Sequence, residues 1–166
     1  MFSSYKPVIF FFLFFISLSV FGQDSIYHWN ISSKKIGDGK FELSFSTQGA
    51  NGWELYSPNQ TIPDLVTTEL KFGDSAISLQ KGFTESGGAK EITSIPFNAK
   101  AKVYEGATEW KAVINIAGTV PAQLQGNFSY FYGHDSSFLN GTFNFNVALE
   151  GGVASSMRIK IPTSGI

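Results

Sequence analysis

The 166-residue sequence predicts an all-β protein, an antiparallel β-sandwich behind an N-terminal leader. Three observations predict it. Bulky aromatic and branched residues alternate with polar ones in run after run. Clusters of Gly, Asn, Asp and Pro separate those runs every 8–12 residues or so. No window carries a long apolar stripe of helical period.

The leader comes first. Lys6 is the only charge before Asp24, and Val8 to Phe21 is almost wholly apolar. A basic start, a short apolar core and small residues at Val20 and Gly22 describe a secretory signal peptide, with cleavage after Gly22. The apolar run is shorter than the ~20 residues that span a bilayer. The lack of any cysteine removes a lipoprotein anchor. The expected organisation is a signal peptide over 1–22, one domain over 23–150 and a C-terminal tail over 151–166. Its expected location is the periplasm or the outside of the cell.

The strands follow in order. Trp29 and Ile31 open the series. Phe41, Leu43 and Phe45 alternate with Glu42 and Ser44. Leu70 and Phe72 alternate with Glu69 and Lys71. Trp110, Ala112, Ile114 and Ile116 form a long run, Phe128, Tyr130 and Tyr132 another, and Phe143, Phe145, Val147 and Leu149 close the domain. Gly37-Asp38-Gly39 is a hairpin signal. Further turn signals are Gly49 to Gly52, Ser57 to Gln60, Gly87-Gly88, Glu105-Gly106, Gly118 to Pro121 and Asn140-Gly141. Together they predict roughly seven to nine strands. In the tail, the alternation of Met157, Ile159 and Ile161 before Pro162 allows one edge strand.

Composition excludes several functions. The net formal charge is −1 and the basic residues are scattered, so there is no electrostatic case for nucleic acid. With no cysteine, an exported domain is held by burial alone. Seven of the 17 Phe precede Gln23, and the rest serve the core together with three Trp.

Two motifs carry a family resemblance. One is Gly52-Trp53-Glu54-Leu55-Tyr56-Ser57, followed by Ile62-Pro63 and a strand from Thr67 to Phe72. The other is Gly126 to Leu139, leading into a strand from Thr142 to Leu149. Together they resemble the N-terminal periplasmic domain of the thiol:disulfide interchange protein DsbD and the related disulfide bond corrector domains. The likeness runs from about Tyr27 to Leu149. It implies an immunoglobulin-like β-sandwich, in agreement with the alternation. In the family, two cysteines in the second motif pass electrons between a membrane partner and other periplasmic proteins. Here Gly133 and Phe138 stand at the positions those cysteines would take. Glu54 replaces the family's His, and Asn140-Gly141 replaces its Pro-rich exit.

Disulfide exchange needs a thiolate, so the resemblance implies a scaffold without its reaction. His134-Asp135 invites a metal or acid–base reading. The only other histidine is His28, however, and a structural zinc site takes four ligands. The pair reads as a solvated turn with Asp135 bonding its own backbone. Glu54 is a lone strand carboxylate; Asp64, Glu69 and Asp74 are available partners, but no spacing singles one out. Trp53 and Trp110 read as core, while Tyr132 fits either core or surface.

The expected function is therefore a non-catalytic protein-interaction module without cofactor or metal. Its expected partner is another periplasmic or secreted protein, with no nucleic acid and no lasting membrane anchor. Tyr132, His134, Asp135 and Leu139 form the candidate interaction loop. The alternative is a small-molecule or glycan-binding sandwich using Trp53, Tyr56, Trp110, Tyr130 and Tyr132 as a platform.

Overall fold

The computed structural model describes residues 25–154. The leader through Gly22 and the alternation at Met157, Ile159 and Ile161 lie outside the described residues. The domain is all-β, with eight strands and no helix among those residues: β1 (Asn30–Gly37), β2 (Lys40–Thr47), β3 (Glu54–Tyr56), β4 (Thr68–Phe72), β5 (Ile77–Ser94), β6 (Ala99–Ile116), β7 (Gln123–His134) and β8 (Ser137–Ala148). Every strand pairing is antiparallel.

The strands form one hydrogen-bonded sheet that curls into a sandwich. Its path runs β1-β2-β6-β3-β7-β4, with β5 on β6 and β8 on β7. The predicted hairpin at Gly37-Asp38-Gly39 joins β1 to β2. β2 buries Phe41, Leu43 and Phe45, and β6 buries Trp110, Ala112 and Ile114 opposite them. Both rows face β7 and β8. Phe45 stacks on Phe128 at 4.4 Å and meets Phe145 edge to face at 5.4 Å. Period-2 alternation places these side chains on one face, and their burial closes the main core.

Three predicted turns lie inside strands instead. Gly87-Gly88 and Glu105-Gly106 sit at one corner of the β5–β6 hairpin, whose strands are 18 residues each. Gly87 has φ +129°, and the register slips between Gly87 and Ala89. Such a slip is a bulge, which bends a strand without ending it. Beyond the corner, β6 exchanges its second partner from β3 to β2. Asn140-Gly141 lies within β8. A Cβ on Gly141 would sit 2.4 Å from the Tyr130 ring, so glycine is there for close approach rather than for a turn. β5 was missing from the alternation because it is an edge strand with mostly exposed side chains.

Trp53 departs from its expected place in the core. It precedes β3 and is half-buried at the end of the sheet, packed on Tyr132 at 5.3 Å. Trp110 is fully buried, at 0 % exposure. Trp110→Ala is expected to cost about 3–5 kcal/mol, the usual loss for a buried aromatic. Trp53→Ala should cost about half of that or less, since part of its surface already meets water. Urea midpoints of the two variants check the order, and a larger loss at Trp53 would reverse the assignment.

Candidate functional site

The two sequence motifs meet at one end of the sandwich. β3 lies between β6 and β7, so Glu54 pairs with Gly133 and Leu55 with Tyr132. β3 is three residues long and buries both faces. Leu55 enters the main core, and Tyr56 enters a second, smaller one.

The candidate loop is much tighter than the sequence implied. β7 runs through His134 and β8 starts at Ser137, so only Asp135 and Ser136 form the turn. Asp135 holds φ +52°, which Asp tolerates better than most residues. The Nε2 of His134 lies 3.1 Å from Asp135 Oδ2, with both side chains well exposed. The His134 ring rests 5.9 Å from Trp53.

Gly133 and Phe138 are direct cross-strand partners. Gly133 has no room for a side chain: a Cβ there would lie 2.6 Å from the Ser137 carbonyl oxygen and 3.2 Å from the Tyr56 ring. Phe138 occupies the second core. Its ring stacks on Phe131 at 4.8 Å and meets Tyr56 and Phe97 edge to face at 4.9 and 4.7 Å. Ile62, Ile92, Ala101 and Val103 complete that cluster.

Tyr132 and Leu139 belong to the other side of the hairpin. Tyr132 packs between Tyr27, at 5.4 Å, and Trp53. Leu139 is 44 % exposed. Both line a cavity of about 440 Å³ with Ser25, Ile26, Asn140, Gly141 and Thr142. Among the described residues, no group of three or more His, Cys, Asp or Glu is placed to hold a metal. No helix there is long and apolar enough to cross a membrane.

Sequence reasoning missed Glu85. Its carboxylate is only 4 % exposed, at the inner side of the β5–β6 corner. Ser57 Oγ donates to both of its oxygens at 2.9 and 2.8 Å, and Lys102 Nζ lies 3.1 Å away. Tyr104 and Asn59 donate to it as well. Burial alone would raise its pKa. The hydrogen bonds from Tyr104, Ser57, Lys102 and Asn59 outweigh burial and hold it below the usual glutamate value. Burial, and then the neighbouring Glu85 carboxylate, push the Tyr104 hydroxyl in the opposite direction, well above its ordinary value. Nothing in the local sequence Thr84-Glu85-Ser86 marks this carboxylate; its donors lie on three other segments.

Comparison with known proteins bears on the fold alone. No family model matches the chain, and no curated protein does. Among solved structures, it is similar to the N-terminal periplasmic domain of ScsB from Proteus mirabilis, with a TM-score of 0.57 and 10 % identity. That match covers 76 % of this chain and 48 % of the other. The yeast GGA1 GAE domain matches with a TM-score of 0.38 and 11 % identity, over 75 % of this chain and 96 % of the other. The ScsB likeness gives the domain a DsbD-like fold.

The Glu85 network has a testable pH signature. A carboxyl held low in the folded state lends stability that is complete above the unfolded glutamate value of about 4.3 and is lost as the pH falls through the folded value. Urea midpoints should therefore drop more steeply below about pH 4 in the wild type than in Glu85→Gln. Glu85→Ala, which strands the buried Tyr104 hydroxyl, is expected to cost about 1–3 kcal/mol at pH 7. Parallel acid profiles of wild type and Glu85→Gln would show that Glu85 is not a stabilising carboxylate.

Proposed function

We propose that this chain is an exported, non-catalytic protein-interaction module on a DsbD-like scaffold, with its contact surface at the β7–β8 hairpin end. The observation that carries the reading is the pairing of Gly133 with Phe138. Directly opposed residues of an antiparallel pair lie about 4.5–5.5 Å apart, within the span a disulfide bridges. At this position one partner is a glycine pressed against Ser137, and the other is an aromatic ring inserted in a core. The 166 residues supply no thiol. Packing thus occupies the place where the resemblance puts a redox pair.

The periplasm is the compartment this reading assigns. A leader of secretory type and the periplasmic origin of the ScsB domain both support it. The ring geometry speaks against the glycan alternative. Of the five rings of that platform, Tyr56, Trp110 and Tyr130 are buried, and Trp53 and Tyr132 meet edge to face at 75° and form no flat surface.

Cross-linking in cells tests the reading. A photoreactive residue in place of Asp135 should give a discrete protein adduct, and one in place of Lys111, on the ion-paired face of β2 and β6, should give none. Equal labelling from both positions, or none from Asp135, would remove the hairpin end as a contact surface.

The redox ancestry has its own test. Gly133→Cys combined with Phe138→Cys should form an intramolecular bridge on oxidation, at a cost, because the Cβ at 133 must displace Ser137. Gly133→Ala alone should lose about 1–3 kcal/mol by overpacking. A thiol count and a melting curve read both. Two free thiols in a folded, oxidised protein would end the argument that these positions descend from a cysteine pair.

A further inference from the structure

We propose that the groove between the N-terminal segment at Ser25–Ile26 and the outer edge of β8 receives one extended, uncharged peptide strand from a partner protein. This rests on the interaction-module reading and narrows it to a mode of binding.

Four strands have an outer edge, and three are guarded in the ways that discourage strand addition. β1 carries Lys34 and Lys35 and a register slip before Gly37. β4 is five residues long and carries Glu69 and Lys71. β5 has two register slips and bears Lys90 and Glu91. β8 has none of these guards. Ser137–Ala148 contains no charged residue and no proline, and its pairing with β7 runs unbroken over the whole strand.

Two hydrogen bonds fix which backbone groups of β8 point outward. Leu149 N–H donates to the Ala122 carbonyl, on the β7 side. The Ala148 carbonyl points the other way and accepts from Ser33 Oγ at 2.5 Å. Backbone groups alternate sides along a strand, so Asn146, Asn144, Thr142 and Asn140 direct theirs outward. Among the described residues, β8 pairs with no strand but β7. Among the described residues, Ser33 of β1 bonds the Ala148 end of that edge.

The cavity lies along the opposite half of that edge. Four consecutive residues of β8, Leu139 to Thr142, line it, which is the signature of a strand seen edge-on. Ser25 and Ile26 line it from the N-terminal segment, which is anchored by Ser25 Oγ on the Tyr130 hydroxyl at 2.8 Å. The volume of about 440 Å³ falls in the range of ligand sites.

These walls choose the occupant. A second copy would have to offer its own β8 edge, and that edge is recessed in a groove walled by its own Ser25–Ile26 segment, so two such grooves cannot interdigitate. A single free strand can enter. None of the lining residues is charged, so a Lys or Glu in the incoming segment would lose its hydration without gaining a counter-charge. Strand addition draws its affinity from main-chain hydrogen bonds and its selectivity from alternate side chains. Tyr132, Leu139 and Ile26 offer apolar contacts to one face of such a strand.

A fluorescein-labelled octapeptide, Ser-Val-Thr-Val-Asn-Val-Thr-Ser, serves as the probe, with anisotropy as the readout. The expected result is saturable binding that weakens about ten-fold or more when alternate residues are N-methylated, through lost main-chain bonds. Thr142→Pro removes one outward N–H at an edge position that tolerates proline and should weaken the probe similarly. Asn140→Lys should do the same through charge, and keeps the test alive if the proline variant misfolds. Circular dichroism and melting confirm the fold of each. Equal binding of the methylated and parent peptides would overturn the proposal, as would no binding at millimolar probe. Binding that appears only when residues 155–166 are deleted would hand the groove to the chain's own tail. A concentration-dependent dimer abolished by Thr142→Pro would hand it to a second copy. Loss of peptide binding with the Asp135 cross-link intact would sink strand addition while leaving the module reading standing.

Discussion

The architecture depends on one long hairpin turning a corner. β5 and β6 are too long to stay on one wall of so small a sandwich, and they bend together where Gly87 and the Glu105–Ala107 stretch face each other. The bend lets the other edge of β6 serve two strands in turn, β3 before it and β2 beyond it. That exchange joins the two walls into one continuous sheet. Glu85 stands beside the bend, and its donors come from the end of β3, the following loop and β6. A buried carboxylate is tolerated there because every side of it meets a donor. The same contacts fasten Ser57 and Asn59 to the corner.

Loop closure after β3 uses a related device. The amide of Gln60 takes both backbone groups of Lys102, accepting from its N–H at 3.1 Å and donating to its carbonyl at 2.5 Å. A side chain thus continues the ladder after β3 has ended. Ser57 N–H also donates to the Lys102 carbonyl, and Thr67 Oγ1 returns to the Ser57 carbonyl at 2.5 Å. The loop is closed at its base, and Ile62 dips from it into the second core beside Phe138.

Much of this was legible in the sequence, and the misreadings have physical causes. Strands with one wet face announced themselves: β2, the second half of β6, and β7 alternate as their burial does. β5 was invisible because an edge strand buries too little to be patterned. Gly87, Gly106 and Gly141 were read as turns because glycine signals backbone freedom and close approach with the same letter; only the partner strand tells which is meant. The pairing of Glu54 with Gly133 joins the two motifs, and the alternation could not have supplied it. Glu85 was out of reach, since its meaning lies in donors 17 to 28 residues away along the chain.

β3 has a consequence for how the molecule assembles. Its three residues pair with β6 and β7 at once, through Leu55 with Tyr104 on one side and with Tyr132 on the other. Both partners are distant in sequence, so the chain must close two large loops before so short a strand gains anything in return. The β5–β6 and β7–β8 hairpins are local and can form first. β3 then acts as a keystone, fitted late between two finished halves. The end of the sandwich that carries the hairpin turn should therefore be the last to consolidate during folding and the first to loosen when the domain opens.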